Sequence, residues 1–242
     1  MLARDSDGKV LHMPTHLYLI RHGESVPNVE PIIGGMLGDA GLTDRGREQA
    51  RLLEERLRTE QLRADVLYAS TLPRALETAE YVARALQLPV VADEELHELR
   101  PGVADGLSVD QWRARYGPPQ GWAVDDPFRP FSPGGESWAG LLLRAGGALA
   151  RLVGRHEDET VVAVCHGGVL EASFYLAFGL SGTGTRVGFA PLNTSVTHWE
   201  HRLGPGGRPE WRLMAFNDAG HLAGGTLAAE PRDAVPLPVE SS

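Results

Sequence analysis

Thr160-Val161-Val162-Ala163-Val164-Cys165 is a run of small and β-branched apolar residues after its first position, and it leads straight into His166-Gly167-Gly168. A strand that is apolar at both odd and even positions must be covered on both faces, which places it in the middle of a largely parallel sheet flanked by helices. The flanking sequence has the matching rhythm. Strand-like runs at residues 17–20, 65–70 and 89–92 alternate with helical patterns. One helix spans residues 42–62, with Ala50, Leu53 and Leu57 on one face and Thr43 and Asp44 at its start. A second opens at Pro73 and aligns Leu76, Ala79, Val82, Ala83 and Leu86, and a third covers about 136–156. This β-α order predicts a mainly parallel α/β sandwich. Residues 194–202 and 210–216, joined by Gly204-Pro205-Gly206-Gly207, read as a hairpin that adds an antiparallel edge.

Residues 99–133 break the rhythm. Pro101, Pro118, Pro119, Pro127, Pro130 and Pro133 surround one short helix at 108–116, so this stretch is expected to be a cap passing over the strand ends. Most of Trp112, Tyr116, Trp122, Phe128, Phe131 and Trp138 are expected to pack the cap's own small core, although an aromatic wall for a substrate is the rival reading. Residues 1–15 and 223–242 are aperiodic and expected to be flexible, leaving residues 16–222 as one domain. At 242 residues the chain is sized for one core with a cap.

Composition removes several kinds of chemistry. The single cysteine, Cys165, excludes an internal disulfide and multi-cysteine metal clusters, and the remaining histidines show no ligand spacing, so no metal and no cofactor is expected. Among 23 basic residues only Lys9 is a lysine, which leaves no credible Schiff-base or phosphate-loop lysine. A net charge of -9 argues against a nucleic-acid partner. No apolar run reaches the roughly 20 residues of a membrane span, so the expected location is the cytoplasm, with no membrane partner.

In open parallel sheets, ligands gather beyond the carboxyl ends of strands. Here those ends carry Arg21-His22-Gly23-Glu24-Ser25, Ser70-Thr71-Leu72-Pro73-Arg74 and His166-Gly167-Gly168. Arginine forks match phosphate oxygens, helix starts present free amides, and glycines admit close approach. The combination describes a phosphate pocket.

The segment Leu17-Tyr18-Leu19-Ile20-Arg21-His22-Gly23-Glu24-Ser25 resembles the signature of the histidine phosphatase superfamily, in the branch that contains cofactor-dependent phosphoglycerate mutase. The resemblance extends to Asn28, to residues 42–50, to 70–78, to 96–107, to 133–137 and to 164–168. It implies a phosphoglycerate mutase-like three-layer α/β/α fold and names roles. His22 would be the nucleophile, Glu98 the acid and then the base, and His166 a third catalytic group. Arg21, Asn28, Arg74 and Gly167 would bind phosphate. Without it, Glu94, Glu95 and Glu98 could not be told apart, and Arg74 could equally pair with Glu77 or Asp44. Glu24 and Glu136 are expected to orient loops or arginines, Cys165 to be packing, and the role of His221 is open.

The implied activity is metal-independent hydrolysis of a small phosphate ester through a phosphohistidine. A mutase-type phosphoryl transferase is the first alternative and a non-catalytic phospholigand-binding module the second. Hydrolysis is favoured because mutases of the family carry a tyrosine three residues after the acid, where this chain has Pro101. The chain is expected to be a monomer or a homodimer, the latter through an edge strand such as 194–202.

Overall fold

The apolar run forms β4 (Thr160–Cys165), buried from Val161 onward, in the computed structural model, which describes residues 13–117, 126–181, 188–204 and 207–223. It pairs in parallel with β1 (Thr15–Arg21) on one side and β2 (Val66–Ala69) on the other, as the two-faced apolar pattern requires. β3 (Val90–Ala92) continues the parallel part, and β5 (Val196–Leu203) and β6 (Pro209–Asp218) add antiparallel strands in the order β3-β2-β4-β1-β5-β6.

Side-chain alternation sorts two cores onto the two faces. Ile20, Leu67, Val162 and Val164 pack beneath α2 (Asp44–Thr59) and α3 (Pro73–Leu86), contacting Leu53, Leu57, Ala75, Ala79 and Val82. Leu17, Leu19, Val161, Ala163 and Trp199 face α5 (Trp138–Arg155) and α6 (Gly167–Phe178). The result is the expected three-layer α/β/α sandwich. A short α1 (Val26–Val29) follows β1, and α4 (Val109–Arg115) lies in the cap segment.

Local chemistry sets the boundaries. Thr43 Oγ1 accepts the Gly46 amide at the start of α2. Ser137 does the same for the Gly140 amide, so α5 begins at Trp138, two residues later than periodicity alone places it. β1 opens at Thr15, inside the segment expected to be flexible, because Thr15 Oγ1 bonds the His156 carbonyl and the Asp158 amide. The expected flexibility of residues 1–12 and 224–242 lies outside the described residues.

The edge expectation needs correcting. Residues 196–203 form β5, an interior strand hydrogen-bonded to β1 and to β6, so β6 is the outer strand on that side of the sheet. Periodicity finds a strand but not its order in the sheet, which is decided by the hairpin folding outward.

In the cap, Trp112, Phe131 and Trp138 are buried in the α5/α6-side core, with the Trp112 and Phe131 rings stacked at 4.5 Å, whereas Phe128 is exposed. Trp122 lies outside the described residues. The three buried rings pack as expected, but into the core shared with β1, β4, α5 and α6 and not into a small core of the cap's own.

One glycine carries more than helix propensity. A Cβ on Gly46 would lie 1.9 Å from the Glu24 carbonyl oxygen, and one on Gly23 would lie 2.6 Å from the Gly46 carbonyl oxygen. The start of α2 therefore presses directly on the loop after β1. Gly46→Ala should lose about 2 kcal/mol or more, although alanine in an open helix would gain about 1 kcal/mol. Urea unfolding measures this; a midpoint at or above that of the parent chain would show that the contact relaxes freely.

Candidate active site

The register Arg21↔Cys165 between β1 and β4 sets His22 and His166 side by side as the first residues beyond two neighbouring strands. The His22 amide bonds the Cys165 carbonyl at 3.0 Å, and the two imidazoles lie 5.1 Å apart, centroid to centroid. Both rings are buried.

A hydrogen bond assigns the His22 tautomer. His22 Nδ1 lies 2.7 Å from the Gly23 carbonyl, which can only accept, so Nδ1 carries the proton. Its Nε2 then presents a lone pair, which accepts from Arg74 Nε at 3.1 Å. Ser70 Oγ accepts the Leu72 amide and lies 2.8 Å from His166 Nε2, a pairing that either tautomer of His166 satisfies. The buried His166 Nδ1 has no partner among the described residues. A buried ring nitrogen left open in a site lined with arginine suits a ligand.

Burial, first, and then the charges of Arg74 and Arg21 hold the His22 imidazole well below its ordinary pKa of 6.5. Burial, followed by the Arg74 charge and the neighbouring imidazoles, does the same for His166. Both rings are neutral at pH 7.

Arg74 is fixed from behind. Its Nη1 donates to Asp39 at 2.8 Å and to the Gly34 carbonyl at 3.1 Å, and the Asp39 side chain is fully buried. Its Nη2 has no hydrogen-bond partner among the described residues. The pairing with Glu77 or Asp44 left open by sequence does not occur; Glu77 binds Arg47 instead. Arg21 is buried and donates to the Pro191 carbonyl. Asn28 Oδ1 accepts from Ser25 and from Asn193 Nδ2, and Asn193 also bonds the His22 carbonyl at 3.0 Å.

Glu98 approaches from the turn after β3. Its Oε2 accepts the Gly168 amide at 3.0 Å and its Oε1 the Leu99 amide at 2.9 Å. A Cβ at 168 would sit 2.3 Å from the Glu98 carboxylate, so a larger residue there would push that carboxylate from its place. The Gly167 amide belongs to the same first turn of α6, whose opening amides lack intrahelical acceptors. All seven residues singled out by sequence therefore cluster at the carboxyl ends of β1 and β4. Glu94 and Glu95 take no part in this cluster.

Supporting residues were less visible in the sequence. Asp39, Asn193 and the Ser70 contact to His166 have no local signal, because each depends on a loop returning to the sheet edge. Glu24 takes Thr43 Oγ1 at 2.8 Å and lies 3.7 Å from Arg45, while Glu136 pairs with Arg144. Cys165 is buried, and its thiol is pushed far up by desolvation. His221 does not enter the pocket. Its Nε2 bonds Thr194 Oγ1 at 2.9 Å, and the Thr194 amide ties to the Arg21 and His22 carbonyls, so His221 braces the end of β1.

These histidines give the fold an acid weakness. Burial, reinforced by Arg56, lowers His221 to about 4, and burial with His16 lowers His198 to about 4. Unfolded, each histidine titrates near 6.5, so below that pH the unfolded chain binds protons the folded chain refuses. Their contribution is complete above pH 6.5 and is lost as pH falls from there toward the folded values. Urea unfolding at pH 7 and pH 5 should differ by on the order of 2 kcal/mol or more, with the pH 5 form weaker; equal stability would contradict it.

The sequence profile of the histidine phosphatase superfamily (branch 1) matches residues 17–218. The chain is 33% identical over 187 residues to phosphoserine phosphatase 1 of Hydrogenobacter thermophilus, covering 77% of this chain and 87% of that protein. It is 31% identical over 189 residues to the 2,3-bisphosphoglycerate-dependent phosphoglycerate mutase of Brucella canis, covering 76% and 90% respectively. Among solved structures, the mycobacterial glucosyl-3-phosphoglycerate phosphatase complexed with VO3 superimposes with a TM-score of 0.66 at 29% identity, covering 84% of this chain and 98% of that one.

Proposed function

The chain belongs to branch 1 of the histidine phosphatase superfamily, and from that premise we propose that it hydrolyses a small phosphomonoester, without a metal, through a phosphate carried on His22. The observation that carries this reading is the His22 tautomer: Nδ1–H is fixed on the Gly23 carbonyl, and the Nε2 lone pair sits beside Arg74.

The dianionic phosphate binds between Arg21, Arg74, His166, Asn28 and the Gly167 amide, displacing Arg74 Nε from His22. Nε2 then attacks phosphorus in line with the ester oxygen. As the P–O bond breaks, Glu98 acts as the acid and gives a proton to the leaving oxygen. The equatorial oxygens are stabilised by groups already in place, so little reorganisation is needed. Water next attacks the phosphohistidine, Glu98 takes its proton, the P–N bond breaks, and inorganic phosphate leaves. The guanidinium groups supply the positive charge that a metal supplies elsewhere.

Hydrolysis is favoured over a mutase-type transfer by Pro101. Where a mutase-type site would carry a phenol three residues after the acid, this chain has a buried proline, with its carbonyl tied to Ser132 Oγ and the Ala104 amide. The phosphatase relatives are consistent with that choice. We propose a small-molecule phosphate ester as the substrate and no nucleic-acid or membrane partner; among the described residues no helix is long and apolar enough to cross a membrane. A panel of phosphate esters assayed with excess EDTA tests the reading. Phosphate release from at least one ester is expected, and activity that appears only on adding a divalent metal would overturn it.

A further inference from the structure

Glu98 sits in a turn with no regular secondary structure, yet an acid catalyst must be placed to within a fraction of an ångström. What holds that turn is a side chain from α5, 46 positions further along the chain. Arg144, on α5, is 7% exposed, and each of its five N–H groups has an acceptor. Nη1 donates to the carbonyls of Glu95 at 2.7 Å and His97 at 3.1 Å. Nη2 donates to the Glu98 carbonyl at 3.2 Å and to Glu136 Oε2 at 2.8 Å, and Nε donates to Glu136 Oε1 at 2.7 Å. Glu136 in turn accepts the Arg100 amide at 3.0 Å, and its own amide donates to the Arg100 carbonyl. The backbone on both sides of Glu98 is therefore clamped by one guanidinium–carboxylate pair. A lysine, with three donors on a point charge, cannot span three carbonyls and a carboxylate.

We propose that Arg144, seated by Glu136, is a positioning residue that holds the Glu98 carboxyl against the leaving oxygen, so that cleavage of esters of poorly leaving alcohols depends on it. This rests on the reading of Glu98 as the general acid. The consequence is selective. A nitrophenolate leaves without a proton, whereas an alkoxide does not, so misplacing the acid harms the second far more than the first. General loosening of the site would harm both alike.

The test compares kcat/KM, which reports the steps through P–O cleavage, for 4-nitrophenyl phosphate and for glycerol 2-phosphate in the full chain, Glu98→Gln and Arg144→Lys. Arg144→Lys is expected to lose about 100-fold on the alkyl ester and less than about 5-fold on the aryl ester, in the same sense as Glu98→Gln. Should Arg144→Lys fail to fold, Glu136→Gln, which keeps the side chain's shape, is expected to shift the ratio in the same direction. An equal loss on both esters, or no loss, in the folded variant overturns the inference. If Glu98→Gln itself shows no such selectivity, the assignment of the acid fails instead, and the two failures are distinguishable.

Discussion

His22→Ala is expected to lower kcat/KM for any accepted phosphomonoester by about 10⁴-fold or more, because the variant removes the atom that forms the covalent bond to phosphorus. The fold should survive, since the side chain's partners are the Gly23 carbonyl and Arg74 Nε, and Arg74 keeps Asp39 and Gly34. With a ³²P-labelled ester and rapid quenching, the parent chain should carry an acid-labile, alkali-stable label on the peptide containing His22. The variant should carry none. Retention of most of the activity in a folded variant would remove His22 from the mechanism.

The second large effect falls on Arg74, and it has two separable parts. Arg74→Met removes a phosphate donor and the partner of His22 Nε2, for which a loss of about 10³-fold in kcat/KM is expected. It also strands Asp39, whose side chain is fully buried and whose ion pair is with Arg74. An unpaired buried charge costs about 3–5 kcal/mol, measurable by urea unfolding. Adding Asp39→Asn removes the charge and keeps one oxygen for the Gly41 amide, giving up only the longer 3.3 Å contact to the backbone amide of residue 74, so the double variant should regain more than half of the lost stability while activity stays low. A double variant as unstable as the single one would show that Asp39 is not the source of the cost.

The separation of those two effects parallels what was legible in the chain. Arg21 is the last residue of β1, His22 and His166 stand immediately after their strands, and Arg74 lies in the first turn of the helix after β2, so local pattern and the position of parallel strand ends suffice to bring them together. The β4 run likewise declares its central place because only a strand covered on both faces tolerates apolar residues throughout. Asp39, Asn193 and Arg144 are different. Each is an ordinary polar residue in its own neighbourhood, and its role comes from a contact across 35 or more positions of sequence, or, for Arg144, with a turn that has no periodicity to read. The order of the edge strands was hidden for a similar reason, since side-chain alternation in 196–203 and 209–218 is the same whichever strand lies outermost. Glu98 is intermediate: three glutamates within five positions look alike by local pattern, the family resemblance singles out one, and the Gly168 amide binds that one.

A covalent phosphoryl-enzyme is the step on which all the other roles depend, and the stereochemical course at phosphorus tests for it without requiring the intermediate to accumulate. Hydrolysis, in water enriched in the third oxygen isotope, of a thiophosphate monoester made chiral at phosphorus with the other two gives a chiral thiophosphate and should proceed with net retention, because transfer to His22 and then to water are two in-line displacements, each inverting the centre. Net inversion would mean that water attacks the ester directly, and His22 would then carry no phosphate at all.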